Sequence, residues 1–261
     1  MDILLCAEKF FNSFDGEKGE IGKSQTGKPI YYFCVKKTDF PIVIVTGAIH
    51  AREYITSLLC FRLIDRQIKK GKIGTAYFIP TVNPDGVRIC QNNIKDYKAN
   101  ARGVDLNVNF DANWGQGAQN KTTIGAQNYI GKFPFSESES RALRNFTYLI
   151  KPQLTVSFHS KGEEIYYEFN QKGKVLERDL YLAKIIQKSN GYKIVTPKNS
   201  VGGYKDWCVS KLKIPSFTIE VGNDNLTHPI KENHLGEIYK KNKDVILDLT
   251  KGYINARKIY D

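Results

Sequence analysis

The sequence predicts an α/β fold: one domain in which a mixed, mostly parallel twisted sheet is flanked by helices. Three observations predict it. Short, β-branched apolar runs at 41–49, 75–82, 153–159 and 215–221 alternate with longer helix-like segments, the pattern of strands joined by crossover helices. The length of 261 residues suffices for one large buried core, and no linker divides it. Composition is 41% hydrophobic and 25% charged, which excludes a disordered or fibrous chain.

The elements follow in order. Residues 41–49 (PIVIVTGAI) read as a strand covered on both faces, because nearly every side chain is apolar. Residues 53–70 read as a helix with Leu58, Leu59, Phe61, Leu63 and Ile64 among polar positions. A strand at 75–82 ends at Asn83-Pro84-Asp85-Gly86, a turn-forming tetrapeptide. Residues 91–136 are rich in Asn, Gly and Gln and lack periodicity; so long an irregular stretch in a compact domain points to function. A helix begins near Ser136, where Ser and Glu supply capping groups, and runs to about Ile150. Strands at 153–159 and 215–221 enclose a helix at 176–190, and a last helix spans 233–258. The single domain is expected to cover 1–261.

The net charge of +12 favours anionic partners. The basic residues are dispersed, with no basic block interleaved with aromatics, so no nucleic-acid partner is expected. The five cysteines are odd in number and lie outside any C-x-x-C pair, several within apolar runs, which suggests buried free thiols in a reducing compartment. The start, MDILLCAEKFFNSF, lacks a long apolar core, so no signal peptide is expected and the cytoplasm is the anticipated location. No apolar stretch reaches the length of a membrane span.

Two of the four histidines, His50 and His159, stand at the ends of predicted strands, the edge where open α/β sheets bind ligands. Glu53 follows His50 by three residues across a strand-to-helix junction. Two imidazoles and one carboxylate leave a zinc ion one open position, the pattern of a catalytic site. His228 is expected on a surface loop, His234 on a helix surface, Trp207 in the core and Cys208 in packing. Trp114 is a candidate for the pocket wall.

The string Gly47-Ala48-Ile49-His50-Ala51-Arg52-Glu53 resembles the first zinc motif of the zinc carboxypeptidases related to carboxypeptidase A. The motifs after it match in the same order: Asn83-Pro84-Asp85-Gly86, Gly103-Val104-Asp105-Leu106-Asn107, Ser157-Phe158-His159-Ser160, Gly202-Gly203 with Asp206-Trp207, and Phe217-Thr218-Ile219-Glu220. The resemblance covers roughly residues 20–250. It implies that fold, one Zn2+ per chain held by His50, Glu53 and His159, and Glu220 as general base. It places Asp105 behind a ligating histidine, and Lys98 where the family usually has an oxyanion-stabilising arginine. Arg102 is close enough in sequence to share that role.

Two departures bear on substrate. The family's N-R-N, whose arginine grips a C-terminal carboxylate in a bidentate fork, reads Asn107-Val108-Asn109 here. The family's active-site tyrosine aligns with Lys198, and Tyr204 is the candidate substitute. Together with Tyr97-Lys98-Ala99-Asn100-Ala101-Arg102 and the segment 160–167, these departures resemble the bacterial γ-D-glutamyl-L-diamino acid endopeptidases. That resemblance implies a peptidoglycan stem peptide as substrate, cut between γ-D-glutamate and meso-diaminopimelate. Lys205 would meet the distal carboxylate of diaminopimelate, and Glu163 or Asp206 its amine. Asn107 would bind a substrate carboxylate or amide. Two alternatives stay open: a metallocarboxypeptidase using another cation, and an inactive relative that binds peptides or wall polymers. A sporulation compartment is an alternative location.

Overall fold

The computed structural model describes residues 1–260 other than 93, 126 and 197–199. The chain opens with α1 (Ile3–Ser13), capped by Asp2, whose carboxylate accepts from the Leu4 and Leu5 amides. β1 (Lys18–Lys23) and β2 (Pro29–Lys36) form an antiparallel hairpin. β3 (Ile42–Thr46), α2 (Ile55–Lys70) and β4 (Thr75–Ile79) make the first parallel crossover. α3 (Pro84–Asn92) follows at once, and an irregular excursion leads to α4 (Ser138–Ile150) and β5 (Leu154–His159). Beyond it lie β6 (Glu164–Tyr166), α5 (Gly173–Asn190), β7 (Lys193–Ile194), the short α6 (Tyr204–Trp207), β8 (Ser216–Glu220), α7 (Leu235–Asn242) and α8 (Val245–Tyr260).

The eight strands form one sheet in the order β1-β2-β4-β3-β5-β8-β6-β7. The central four, β4-β3-β5-β8, are parallel, and antiparallel pairings join them to the outer strands at β2 and β6. Both faces are covered. In β3, Val43 and Val45 enter one core, while Ile44 enters another on the opposite face with Leu143 and Trp207. Burial on both faces is why the run is apolar throughout, and each such side chain contributes about 1.5–3 kcal/mol. From β3 the chain passes to β4 on one side and later to β5 on the other. The switch point therefore falls between β3 and β5, and their carboxyl ends open the crevice where such sheets bind ligands.

Three expectations need amendment. Asn83-Pro84-Asp85-Gly86 starts α3: Asn83 Oδ1 accepts the Gly86 amide at 2.9 Å, and Pro84 opens the helix, where a missing N–H costs nothing. The last helix is two, α7 and α8, separated near Asp244, which is held by Arg66 of α2. α1, β6, β7 and α6 had no counterpart among the expected elements. All five cysteines are free, with Cys6 partly exposed and the other four buried. Among the described residues no helix is long and apolar enough to cross a membrane.

Candidate active site

β3 delivers the chain to His50 through Gly47, where any Cβ would lie 2.8 Å from the Pro80 carbonyl and 2.9 Å from that of Thr56. Only glycine lets the strand end pack this closely on α2. A single 3-10 turn, Ala51–Glu53, then turns Glu53 back towards His50. His50 Nδ1 lies 2.9 Å from Glu53 Oε1, and His159 Nδ1 lies 3.0 Å from Glu53 Oε2 and 3.2 Å from His50 Nδ1. All three side chains are buried. Two imidazole nitrogens and a carboxylate thus converge on one point and can hold a metal ion. The donor set is that of a three-ligand zinc site with an open position.

The surroundings agree with that fit. His50 Nε2 lies 3.1 Å from Asp105 Oδ1, so the ring is oriented by a carboxylate behind it. Lys98 Nζ lies 2.7 Å from Asp105 Oδ2 as an ion pair without hydrogen-bond alignment, and donates to Asn128 Oδ1 at 2.9 Å. Glu220 ends β8 in register with His159, and its Oε2 is buried without a hydrogen-bond partner. His159 Nε2 is likewise unpartnered. The buried carboxylates of Glu53 and Asp105 thus face the ammonium of Lys98, and a divalent cation would offset the remaining negative charge.

Titration follows from the same arrangement. Burial pushes the Glu220 carboxyl up to about 8, with the attraction of His159 opposing and the repulsion of Glu53 assisting. Burial works against a charged His50 ring, but Glu53 in front and Asp105 behind raise its pKa. Burial also opposes ionisation of Glu53, but the two imidazoles hold it well below the usual carboxylate range. Asp105 is depressed too, with Lys98 and His50 outweighing its burial.

Two cavities meet at Glu220. One, of ≈ 300 Å³, holds His50, His159, Lys98, Asp105 and Val108. The other, of ≈ 370 Å³, is lined by Tyr166, Thr218, Lys205 and Asp206. Asn107 and Ser200 border both. Lys205 is buried; its Nζ donates to Asp206 Oδ1 at 2.5 Å and to the Glu168 carbonyl at 2.9 Å, and it sits 5.5 Å from the Phe169 ring centre. Val108 brings no cation to the metal-side cavity, so a fork for a terminal carboxylate is absent at that position.

Other candidates are placed elsewhere. Arg102 is exposed on the surface, with Nε 3.8 Å from Glu137, and does not line the cleft. Tyr204 is buried against Phe110 and Trp207 with its hydroxyl on Thr147, so it cannot stand in for an active-site tyrosine. Glu163 pairs with Lys241 Nζ at 2.5 Å and lies outside both cavities. Lys198, which aligns with the family tyrosine, lies outside the described residues. Trp207 is in the core, and Trp114 Nε1 donates to the Ile130 carbonyl, away from the cleft lining. His228 is half-buried, its Nε2 2.9 Å from the Ser160 carbonyl. Sequence reasoning passed over Tyr166, whose hydroxyl donates to Glu164 beside Glu220, and the amides of Gln119, Asn120 and Asn128. The only signal for the amides was the Asn- and Gln-rich, non-periodic stretch itself.

Asn83 ties the centre together. Its Nδ2 donates to the Ile49 carbonyl at 3.2 Å and to the Ala99 carbonyl at 3.0 Å, bracing the residue before His50 against the residue after Lys98.

A parallel-centred sheet with a His–Glu–His cluster at its switch point and a buried glutamate beside it defines a metallopeptidase-type site. Residues 16–244 match the family model described as zinc carboxypeptidase, and the chain belongs to that family. It is 27% identical over 237 residues to gamma-D-glutamyl-L-diamino acid endopeptidase 1 of Lysinibacillus sphaericus, covering 77% of this chain and 59% of that protein. The chain therefore spans less than two thirds of that relative's length. Bovine thrombin-activatable fibrinolysis inhibitor, in complex with tick carboxypeptidase inhibitor, superposes with a TM-score of 0.83 at 21% identity over 97% of this chain and 94% of that one. The murein-tripeptide amidase MpaA from Escherichia coli O157 superposes with a TM-score of 0.65 at 24% identity over 92% and 95%. At those identities the likeness is one of fold.

Proposed function

We propose that this protein is a zinc-dependent peptidase that cuts peptidoglycan-type stem peptides between γ-D-glutamate and a diamino acid such as meso-diaminopimelate. The observation that carries this is the Lys205–Asp206 pair inside the cavity beside Glu220. Lys205 Nζ uses two of its three donors on Asp206 and Glu168, which leaves one for a ligand carboxylate. Asp206 supplies a carboxylate for the neighbouring ammonium. The distal end of diaminopimelate carries both groups on one carbon and complements the pair. The name of the Lysinibacillus relative supports the same bond. Val108, in place of a carboxylate-gripping arginine, removes a requirement that an endo-type cut does not have.

The residues divide the work. His50, Glu53 and His159 would hold zinc, which supplies an acidified water and an electrophile for the scissile carbonyl. Glu220, which lines both cavities, accepts the proton of the attacking water and passes it to the departing amine. Lys98 Nζ provides positive charge to the carbonyl oxygen as it becomes anionic, and Asp105 holds that lysine in place. The five free thiols support a reducing compartment and hence turnover of wall fragments in the cytoplasm.

Hydrolysis of L-Ala-γ-D-Glu-meso-diaminopimelate is to be compared with that of an N-blocked dipeptide with a free C-terminus. The proposal requires cleavage of the first at its γ-glutamyl bond. Release of C-terminal residues from the dipeptide alone would make the protein a carboxypeptidase instead, and cleavage of neither, with zinc bound, would make it a binding relative.

A further inference from the structure

The cleft that holds the His–Glu–His cluster has a second wall, built by the irregular excursion and carrying Gln119, Asn120 and Asn128. Partners that can only donate fix two of these amides. Lys98 Nζ donates to Asn128 Oδ1 at 2.9 Å, and the Gly117 amide donates to Asn120 Oδ1 at 2.7 Å. An ammonium and a backbone N–H have no acceptor, so the oxygen end of each side chain must be the end that meets them. The Nδ2 ends are therefore left over as donors. Among the described residues neither donates to a protein acceptor, and Gln119 makes no side-chain hydrogen bond. The carboxylates bordering this cavity are Asp105, committed to His50 and Lys98, and Glu220, at the end of β8. The wall thus offers a ligand N–H donors with a lysine ammonium behind them.

We infer that this wall is an anion-accepting subsite for the acyl half of the substrate, taking a free carboxylate on the residue whose carbonyl is cut. The inference rests on the proposed reaction and deepens it. In a γ-linked glutamyl peptide the scissile carbonyl belongs to the side chain. The α-carboxylate stays free, two methylenes and one carbon away. An α-linked peptide has no carboxylate there unless its acyl residue is itself glutamate. Donors from Asn120, Asn128 and Gln119, backed by Lys98, thus recognise the free carboxylate of a glutamyl acyl residue, while the Lys205–Asp206 cavity recognises the leaving diamino acid.

The test uses ligand pairs that differ only in that carboxylate. Kinetics compare L-Ala-γ-D-Glu-meso-diaminopimelate with its counterpart bearing an α-carboxamide. Calorimetry on the zinc-loaded protein compares L-Ala-D-Glu with L-Ala-D-isoglutamine and needs no turnover. The wild type is expected to favour the carboxylate member of both pairs by about tenfold or more, the value of a charge-assisted hydrogen bond. Asn120→Asp keeps the oxygen that meets Gly117 and replaces the outward donor with an anion. It should lose about 10- to 100-fold on the carboxylate ligand and change by no more than about threefold on the carboxamide. Gln119→Glu is the second variant, with the same expectation. Equal wild-type binding of the two dipeptides, or equal losses on both ligands in the variants, overturns the subsite. Failure to cut either tripeptide overturns the proposed reaction, whereas the dipeptide titration decides the subsite on its own.

Discussion

His159 and Glu220 are register partners at the last positions of the adjacent parallel strands β5 and β8. A candidate metal ligand and the proposed proton carrier are therefore spaced by sheet hydrogen bonds, the most rigid ruler the fold contains. Neither strand needs a loop to bring its residue to the crevice.

Glu220→Gln keeps the size of the side chain and removes its ability to take a proton. The variant is expected to bind zinc stoichiometrically by atomic absorption while kcat falls by about 10²–10⁴. Activity close to wild type would remove Glu220 from the mechanism.

Asp105 holds His50 from behind and carries the ion pair to Lys98. Asp105→Asn should weaken zinc binding by about 10- to 100-fold in competition with a chromophoric chelator. Glu220→Gln should leave that affinity nearly unchanged. Equal affinities for Asp105→Asn and wild type would mean that the ring needs no carboxylate to orient it.

Lys205→Met removes the ammonium of the leaving-group cavity. The expected signature is selective: kcat/KM drops by about tenfold or more on the diaminopimelate peptide, and far less on a peptide with lysine in its place, which lacks the distal carboxylate. Because Asp206 loses its partner, a thermal melt must accompany the assay. Equal losses on both peptides would assign Lys205 to structure alone.

Asp85 gives a pH dependence. Its buried carboxylate accepts from Lys28 Nζ at 2.8 Å, from the Thr26 amide at 2.9 Å and from the Thr26 hydroxyl. Burial opposes ionisation, but these donors outweigh it and place the pKa below its ordinary 3.8. A depressed folded pKa means that the stabilisation is present above about pH 4 and is lost as pH falls through the folded value. Asp85→Asn should therefore cost about 1–2 kcal/mol at neutral pH, discounted because Lys28 is partly exposed, with the deficit narrowing in acid. Urea unfolding at neutral pH and near pH 3 measures both. A deficit that is constant with pH would dismiss the carboxylate as its source.

The central strands and the metal cluster were legible because their signals are local. Apolar runs such as PIVIVTGAI name a strand covered on both faces, and His50 and Glu53 lie three residues apart. The misplaced residues depend on packing that no local string encodes. Tyr204 and Arg102 sit within a few residues of true cleft positions, yet one points into the Phe110–Trp207 core and the other into solvent. Asn83-Pro84-Asp85-Gly86 has the chemistry of a turn and of a helix start, and only the downstream packing selects α3. The amide wall was hidden because the useful end of each Asn is fixed by distant donors, Lys98 for Asn128 and the Gly117 amide for Asn120.

The double tether made by Asn83 separates what can vary in this protein from what cannot. Ile49 and Ala99, the neighbours of His50 and Lys98, are braced by one buried amide that lines neither cavity. The residues that would choose the substrate hang from other supports: Asn120 on its own loop, Lys205 on a short helix. Substitutions at the rim are therefore expected to change the ligand taken while the His50–Glu53–His159 cluster keeps its alignment. A change at Asn83, which lines neither cavity, should instead disable every specificity at once.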